Sequence, residues 1–177
     1  MKPITPRPVY QIVGYKNSGK THLVSRLVAH FTAKGLRVAV IKHDLHGFEM
    51  DKEGTDTYQH RAAGAAAVAI TSPERTAVLE EKDTALSDLI ARFAEYDLVL
   101  VEGFKQETYP KLVILREKRD IPLLSELSNI KGVVVWPELT KVMEERNTTE
   151  SMSNILPSFD INDTSRIASA ISLDLSL

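Results

Sequence analysis

Gly14-Tyr15-Lys16-Asn17-Ser18-Gly19-Lys20-Thr21 meets every fixed position of the phosphate-binding loop G-x-x-x-x-G-K-[ST]. Such a loop works in one setting: it leaves a buried strand and opens a helix. The run Val9-Tyr10-Gln11-Ile12-Val13 supplies the strand. Leu23, Val24, Leu27, Val28 and Phe31 recur at helical spacing behind it, which predicts a helix over Thr21–Ala33. Glycines let backbone N–H groups close around phosphate oxygens, and the helix N-terminus adds partial positive charge. Gly14, Lys16, Asn17, Ser18, Gly19, Lys20, Thr21 and His22 are therefore the candidate nucleotide-binding residues. Lys20 is expected on the β- and γ-phosphates and the Thr21 hydroxyl on Mg²⁺. His22 lies inside the helix, where its position also suits packing.

The remaining pattern sets the fold class. Lys34-Gly35 stops the first helix, and Leu36–Ile41 follows as a second strand. Strand, helix, strand with short joins predicts a right-handed unit with parallel strands. A short helix is expected over Thr55–Ala63, with Thr55 or Asp56 at its cap. Ala65–Thr71 and Arg75–Glu80 flank the turn Ser72-Pro73-Glu74 as a candidate antiparallel hairpin. Thr84–Ala94 is helical by its Leu86, Leu89, Ile90 and Phe93 spacing. Asp97–Glu102 holds Leu98-Val99-Leu100-Val101, the continuous apolar run of a strand covered on both faces. Further strands are expected at Lys111–Arg116 and Lys131–Trp136, a short helix from Pro137, and a last helix capped within Asn162-Asp163-Thr164. Met1–Pro8 reads as an extended lead-in, and Asn147–Asn154 as a polar, mobile stretch. The expected class is α/β: a P-loop NTPase with three α/β/α layers, a mainly parallel sheet and one antiparallel hairpin. The whole of 1–177 reads as a single nucleotide-binding domain.

Bulk properties narrow the partners. A net charge of -2 carries no basic footprint, so no nucleic acid is expected. There is no cysteine, which removes disulfides and thiolate metal sites and fits a cytoplasmic location. No apolar run approaches the length of a membrane span, and the N-terminus lacks a signal-peptide core.

A P-loop needs an acid for its metal, at the end of a buried strand beside the first. Glu102 fits, with Gly103 after it; Asp97 stands at the wrong end of that strand. A second constellation runs from Lys42 to Asp56 and leaves the C-terminal end of the second strand, the edge where such sheets bind ligands. Asp44 there is a candidate for Mg²⁺ or for a water near the γ-phosphate. With Glu102 it forms the candidate catalytic pair, and with Thr21 and Glu102 the candidate metal set. His43, His46 and His60 could hold a transition metal, but no thiolate joins them; the segment reads otherwise as a switch-like loop over nucleotide or as a solvated loop. Arg61 suits a phosphate or an anionic partner, or an ordinary helix surface. Lys105 is a further candidate for the phosphate site. Arg116, Lys118 and Arg119 suit either a lid or a solvated strand end. The guanine-reading motif Asn-Lys-x-Asp is absent; by position the base reader is expected around Val135–Leu139.

The combination of Gly14–Thr21, Lys42-His43-Asp44-x-His46 with Phe48, Asp51 and Gly54-x-Asp56, His60-Arg61-x-Ala63-Gly64-Ala65, and Glu102-Gly103-Phe104-Lys105 resembles the molybdopterin-guanine dinucleotide biosynthesis adaptor family, MobB. The resemblance covers about Val9 to Arg116. It implies a homodimer that binds GTP with Mg²⁺, hydrolyses it weakly, and assists the guanylyltransferase joining GMP to molybdopterin, with molybdopterin itself a further partner. It also implies that His43, His46, Asp51, Asp56, His60 and Arg61 form a family loop site. Two other outputs suit the same fold: a nickel-type metallochaperone GTPase and a small-molecule kinase.

Overall fold

The computed structural model describes residues 8–44, 46–149 and 156–177. The proposed lead-in and the end of the polar 147–154 stretch lie outside them. The chain divides into two compact units, Asp44–Leu89 and the rest.

The larger unit is built on a six-stranded sheet. Its strands are β1 (Val9–Val13), β2 (Val38–Lys42), β5 (Leu98–Glu102), β6 (Lys111–Leu115), β7 (Ile130–Val135) and β8 (Ser158–Asp160), in the order β2-β5-β1-β6-β7-β8. Every pairing is parallel. The first two strands are parallel, as expected, with β5 inserted between them. Alternation along the strands divides the core. Tyr10, Ile12, Leu112, Ile114 and Val134 face one side, where α1 (Lys20–Ala33) and α6 (Thr164–Leu175) add Leu23, Leu27, Phe31, Ile167 and Ile171. Val13, Val113, Leu115, Val133 and Val135 face the other, against Leu123, Leu139 and Met143 from α4 (Leu123–Glu126), the turn before α5, and α5 (Thr140–Thr149). Four α1 side chains are buried, each contributing about 1.5–3 kcal/mol, so packing holds the helix.

Register sets the working edge. Gln11 pairs with both Val101 and Lys111, so β6 begins at the level where β5 ends. Eight residues, 103–110, therefore join them without a helix. The buried Lys111 ammonium donates to the Glu107 and Ser128 carbonyls and fixes that join. Because β6 runs on past the level where β1 ends at Val13, Arg116 leaves it beside the P-loop. β8 and α4 escape the sequence reading because Ser158-Phe159-Asp160 and Leu123-Leu124-Ser125-Glu126 are too short to show a period.

One long-range bond ties this unit together. The buried Tyr10 hydroxyl donates to Asp174 Oδ2 at 2.6 Å, from β1 to the last turn of α6. Burial, and then the carboxylate beside it, push the phenol's pKa well above its usual value. Tyr10→Phe is expected to cost about 1 kcal/mol in urea denaturation and to speed amide exchange in α6 ahead of the sheet. Uniform exchange across both would show that the bond does not anchor the helix.

The smaller unit holds α2 (Asp56–Ala62), the antiparallel pair β3 (Ala67–Thr71) and β4 (Thr76–Glu80), and the start of α3 (Leu86–Arg92). Thr55 is the α2 cap, its hydroxyl accepting from the Tyr58 N–H. The hairpin leaves Ile70 and Val78 more than half exposed. Among the described residues no helix is long and apolar enough to cross a membrane.

Candidate functional site

β1 is the central strand where the connections change direction, and a ligand is expected beyond its C-terminal end. The P-loop stands there. Gly19 occupies the cap position of α1 in the left-handed region at φ 104°, and no side chain caps the helix. The first turn holds no acid. The orphan N–H groups of that turn are thus left to an external anion. Ser18 is 2 % exposed, and its hydroxyl has no hydrogen-bond partner. Lys20 folds back over the loop, its ammonium donating to Gly14 O at 3.1 Å and Tyr15 O at 2.7 Å. Burial holds the Lys20 pKa below the ordinary lysine value; Glu102 opposes this, and the charges of Lys105 and Lys42 add to it. An incoming polyanion relieves that excess of positive charge.

Glu102 is where the sequence puts it. It ends β5, is 5 % exposed, and pairs in register with Ile12 on one side and Lys42 on the other. The Thr21 hydroxyl donates to its Oε1 at 2.8 Å. Two hard oxygen donors so close suit Mg²⁺, which takes few protein ligands and fills its shell with water and phosphate. That metal would neutralise phosphate charge between these two residues.

Gly103 follows Glu102 in the left-handed region at φ 98°. A Cβ there would stand 3.1 Å from His43 Cβ, so the close approach is made by the chain itself. His43 in turn stacks on Phe104, with centroids 4.3 Å apart. The completely buried Gln11 holds this turn by donating to the carbonyls of Gly103 and Phe104 at 3.1 and 2.9 Å. Lys105 lies over the Tyr15 ring at 4.7 Å.

Two residues from the ends of β6 and β7, Arg116 and Trp136, brace the P-loop. The Trp136 indole N–H donates to Ser18 O at 2.8 Å, and the ring lies against Gly19. Arg116 donates to Asn17 O at 2.7 Å and packs over the Trp136 ring at 5.1 Å. Asn17 is itself left-handed at φ 61°. Holding these carbonyls outward leaves the loop's N–H groups free to face inward. Arg116 thus stands exposed just past the end of β6, as a solvated strand end should, and spends one guanidinium N–H on the loop. The 135–139 segment, expected to read guanine, gives its one aromatic to the loop. Lys16 and His22 are exposed, and His22 lies 3.4 Å from Arg26.

In the smaller unit Asp51 and Arg61 come together. Asp51 Oδ1 accepts from the Lys52 N–H, Thr55 and Thr57 at 2.9–3.0 Å. Burial pushes this carboxyl up, but those hydrogen bonds and the Arg61 charge outweigh it and hold it below the usual range. Arg61 grips Glu49 at 2.9 Å and Glu81 at 2.8 Å, and stands 3.8 Å from Asp51. Its hydrogen bonds to the Glu49 and Glu81 carboxylates push its pKa above the ordinary value. Arg61 thus ties the loop residues Glu49 and Asp51 to Glu81, just past the end of β4. The His46 N–H donates to Asp44 Oδ1 at 3.0 Å. Asp56 is exposed in the first turn of α2, and an exposed His60 lines a shallow groove with Ala63, Gly64, Ala65, Ala67 and Val68. Among the described residues no three of His, Asp and Glu are grouped to hold a metal ion.

A parallel sheet whose central strand feeds this loop, with a neighbouring strand's acid on the loop threonine, is a P-loop nucleoside triphosphatase fold. Within that class, the family model described as Molybdopterin guanine dinucleotide synthesis protein B, MobB, matches residues 9–136, and the chain belongs to that family. The molybdopterin-guanine dinucleotide biosynthesis adapter protein of Haemophilus influenzae is 42% identical over 120 residues, 66% of this chain and 67% of that protein. A probable adapter protein of the same name from Bacillus subtilis is 37% identical over 131 residues, 72% of this chain and 76% of that one. Among solved structures, the MobB homolog from Bacillus stearothermophilus superposes with a TM-score of 0.71 at 29% identity, covering 96% of this chain and 98% of that one. Bacillus subtilis MobB does so at 0.69 and 34% identity, covering 96% of both chains.

Proposed function

We propose that this protein is a GTP-binding adapter in the synthesis of the guanine dinucleotide form of the molybdenum cofactor. The observation that carries the nucleotide half is the Thr21–Glu102 contact at 2.8 Å beside an uncapped helix N-terminus. The adapter half is supported by membership of the MobB family and by the names its relatives carry. Lys20, Ser18 and the first α1 N–H groups bind the phosphates. Thr21 and Glu102 hold Mg²⁺, with Asp44 as the further acid of the metal and γ-phosphate region. The partner is the enzyme that attaches GMP to molybdopterin, and molybdopterin is the second ligand. Slow hydrolysis resets the complex. A kinase lid would need converging free arginines, and Arg116 is committed to Asn17. The compartment is the cytoplasm, which suits a cysteine-free chain. The working form is a homodimer. The exposed apolar hairpin β3–β4 supports this, since two isolated strands are marginal in water.

Calorimetry with Mg²⁺ tests the reading. GTP is expected to bind at least tenfold more tightly than ATP, isolated turnover to be slow, and turnover to change when a molybdopterin guanylyltransferase is added. A preference for ATP, or fast phosphorylation of a small acceptor, would remove the adapter reading.

A further inference from the structure

Glu102 presents an asymmetry that nucleotide binding alone does not explain. Its side chain is 6% exposed, and a buried carboxylate needs a partner. Oε1 has two: the Thr21 hydroxyl at 2.8 Å and the Lys42 ammonium at 3.4 Å. Lys42 reaches it because β2 and β5 pair Lys42 with Glu102 at their C-terminal ends. The Lys42 side chain is 54% exposed. The anion is therefore fixed and dry, while its cation enters from water and returns to water at little cost.

We propose that Lys42 is a built-in cation that occupies Glu102 until Mg²⁺ arrives, so that this lysine sets how readily the site admits the metal. The inference rests on the reading of Thr21 and Glu102 as the metal pair. Lys42 and a divalent cation both seek Oε1, and two like charges within a few ångströms of one oxygen repel strongly. Lys42 must leave when the metal enters. The surroundings sharpen this competition. Glu102, Lys105 and Lys42 all act electrostatically on Lys20, so three ammonium groups share the neighbourhood of one carboxylate and the cleft is already rich in positive charge. Lys105 has the Tyr15 ring as its partner, and Lys20 has the loop carbonyls. Lys42 is the ammonium that shares the metal's own oxygen. Its displaced charge needs a new anion, and a bound nucleotide's phosphates supply one. The metal is thereby admitted with phosphate and resisted without it.

The test uses the full chain free of nucleotide, with Mg²⁺ alone as probe and thermal unfolding as readout. In chelator, Lys42→Gln is expected to melt below wild type, because Glu102 has lost its cation. Added Mg²⁺ should recover that loss, with a midpoint about threefold or more below the wild-type midpoint, the scale of a part-exposed ion pair. Lys42→Arg keeps the charge and should stay near wild type. An unchanged midpoint, a Lys42→Gln protein that does not respond to Mg²⁺, or a Lys42→Arg protein that behaves like Lys42→Gln overturns the inference. GTP calorimetry on the same wild-type sample separates the two ideas. GTP binding with unchanged Mg²⁺ midpoints sinks the Lys42 inference alone. Absence of GTP binding sinks the nucleotide reading.

Discussion

Lys20→Ala is expected to lower affinity for a nucleoside triphosphate by about a hundredfold or more, on the order of 3 kcal/mol. The ammonium sits over the loop carbonyls of Gly14 and Tyr15, so it is already where phosphate oxygens would replace them. Its pKa is held down by burial, and the neighbouring Lys42 and Lys105 add to the excess charge. A phosphate relieves that excess, which makes the interaction stronger in the complex than in the free protein. The fold should survive, because Lys20 opens α1 rather than packing its core face, which is Leu23, Val24, Leu27 and Phe31. Lys20→Arg should not rescue binding, since a planar fork does not reproduce a point charge. Calorimetry with GTP and Mg²⁺, alongside melting curves, measures both quantities. Affinity within threefold of wild type would place the phosphates elsewhere.

Gly19→Ala and Gly35→Ala should separate two costs that share one backbone term. Both glycines are left-handed, at φ 104° and 85°. An L-residue in that region costs about 1–2 kcal/mol. At Gly35 an added Cβ meets nothing within 4 Å, so the cost should stop there. At Gly19 it lands 3.0 Å from Trp136 Cζ2, a ring also held by its bond to Ser18 O and by Arg116. Crowding should add about 1 kcal/mol or more. It should also turn the loop's N–H groups, so that GTP affinity falls at least tenfold in Gly19→Ala and is unchanged in Gly35→Ala. Denaturation gives the first comparison and calorimetry the second. Equal stability losses and equal affinities would mean that Trp136 yields freely and does not brace the loop.

Those two residues also mark how far the sequence could be read. Gly14–Thr21 and Glu102 are legible because their chemistry is written locally: a spaced motif, and an acid ending a wholly apolar strand. The strand–helix–strand frame follows for the same reason. Trp136 and Arg116 are not legible, because their role depends on β6 and β7 ending beside the loop, in a register set by pairings some hundred residues apart. One signal was present: a tryptophan closing a buried strand on the ligand edge of the sheet is a strong candidate for contact with the loop. Gln11 was hidden inside an apparently ordinary strand. The loop after β2 is dense in histidines, yet Asp51 and Arg61 organise it through carboxylates and hydroxyls at 49, 55, 57 and 81. Hydrogen-bond partners across such spans leave no periodic trace.

The bond from Tyr10 to Asp174 has a consequence for synthesis. The two residues are 164 apart in sequence, and Tyr10 belongs to the strand that feeds the phosphate loop. As the chain emerges from the ribosome, β1 comes out early but lies between β5 and β6, and its face is closed in part by α6. Local order cannot complete this sheet; the centre must wait for its flanks. A nascent chain halted before α6 should therefore leave Tyr10 without its Asp174 partner and the β1 face covered by α1 alone, and become a substrate for chaperones rather than a stable nucleotide-binding fragment.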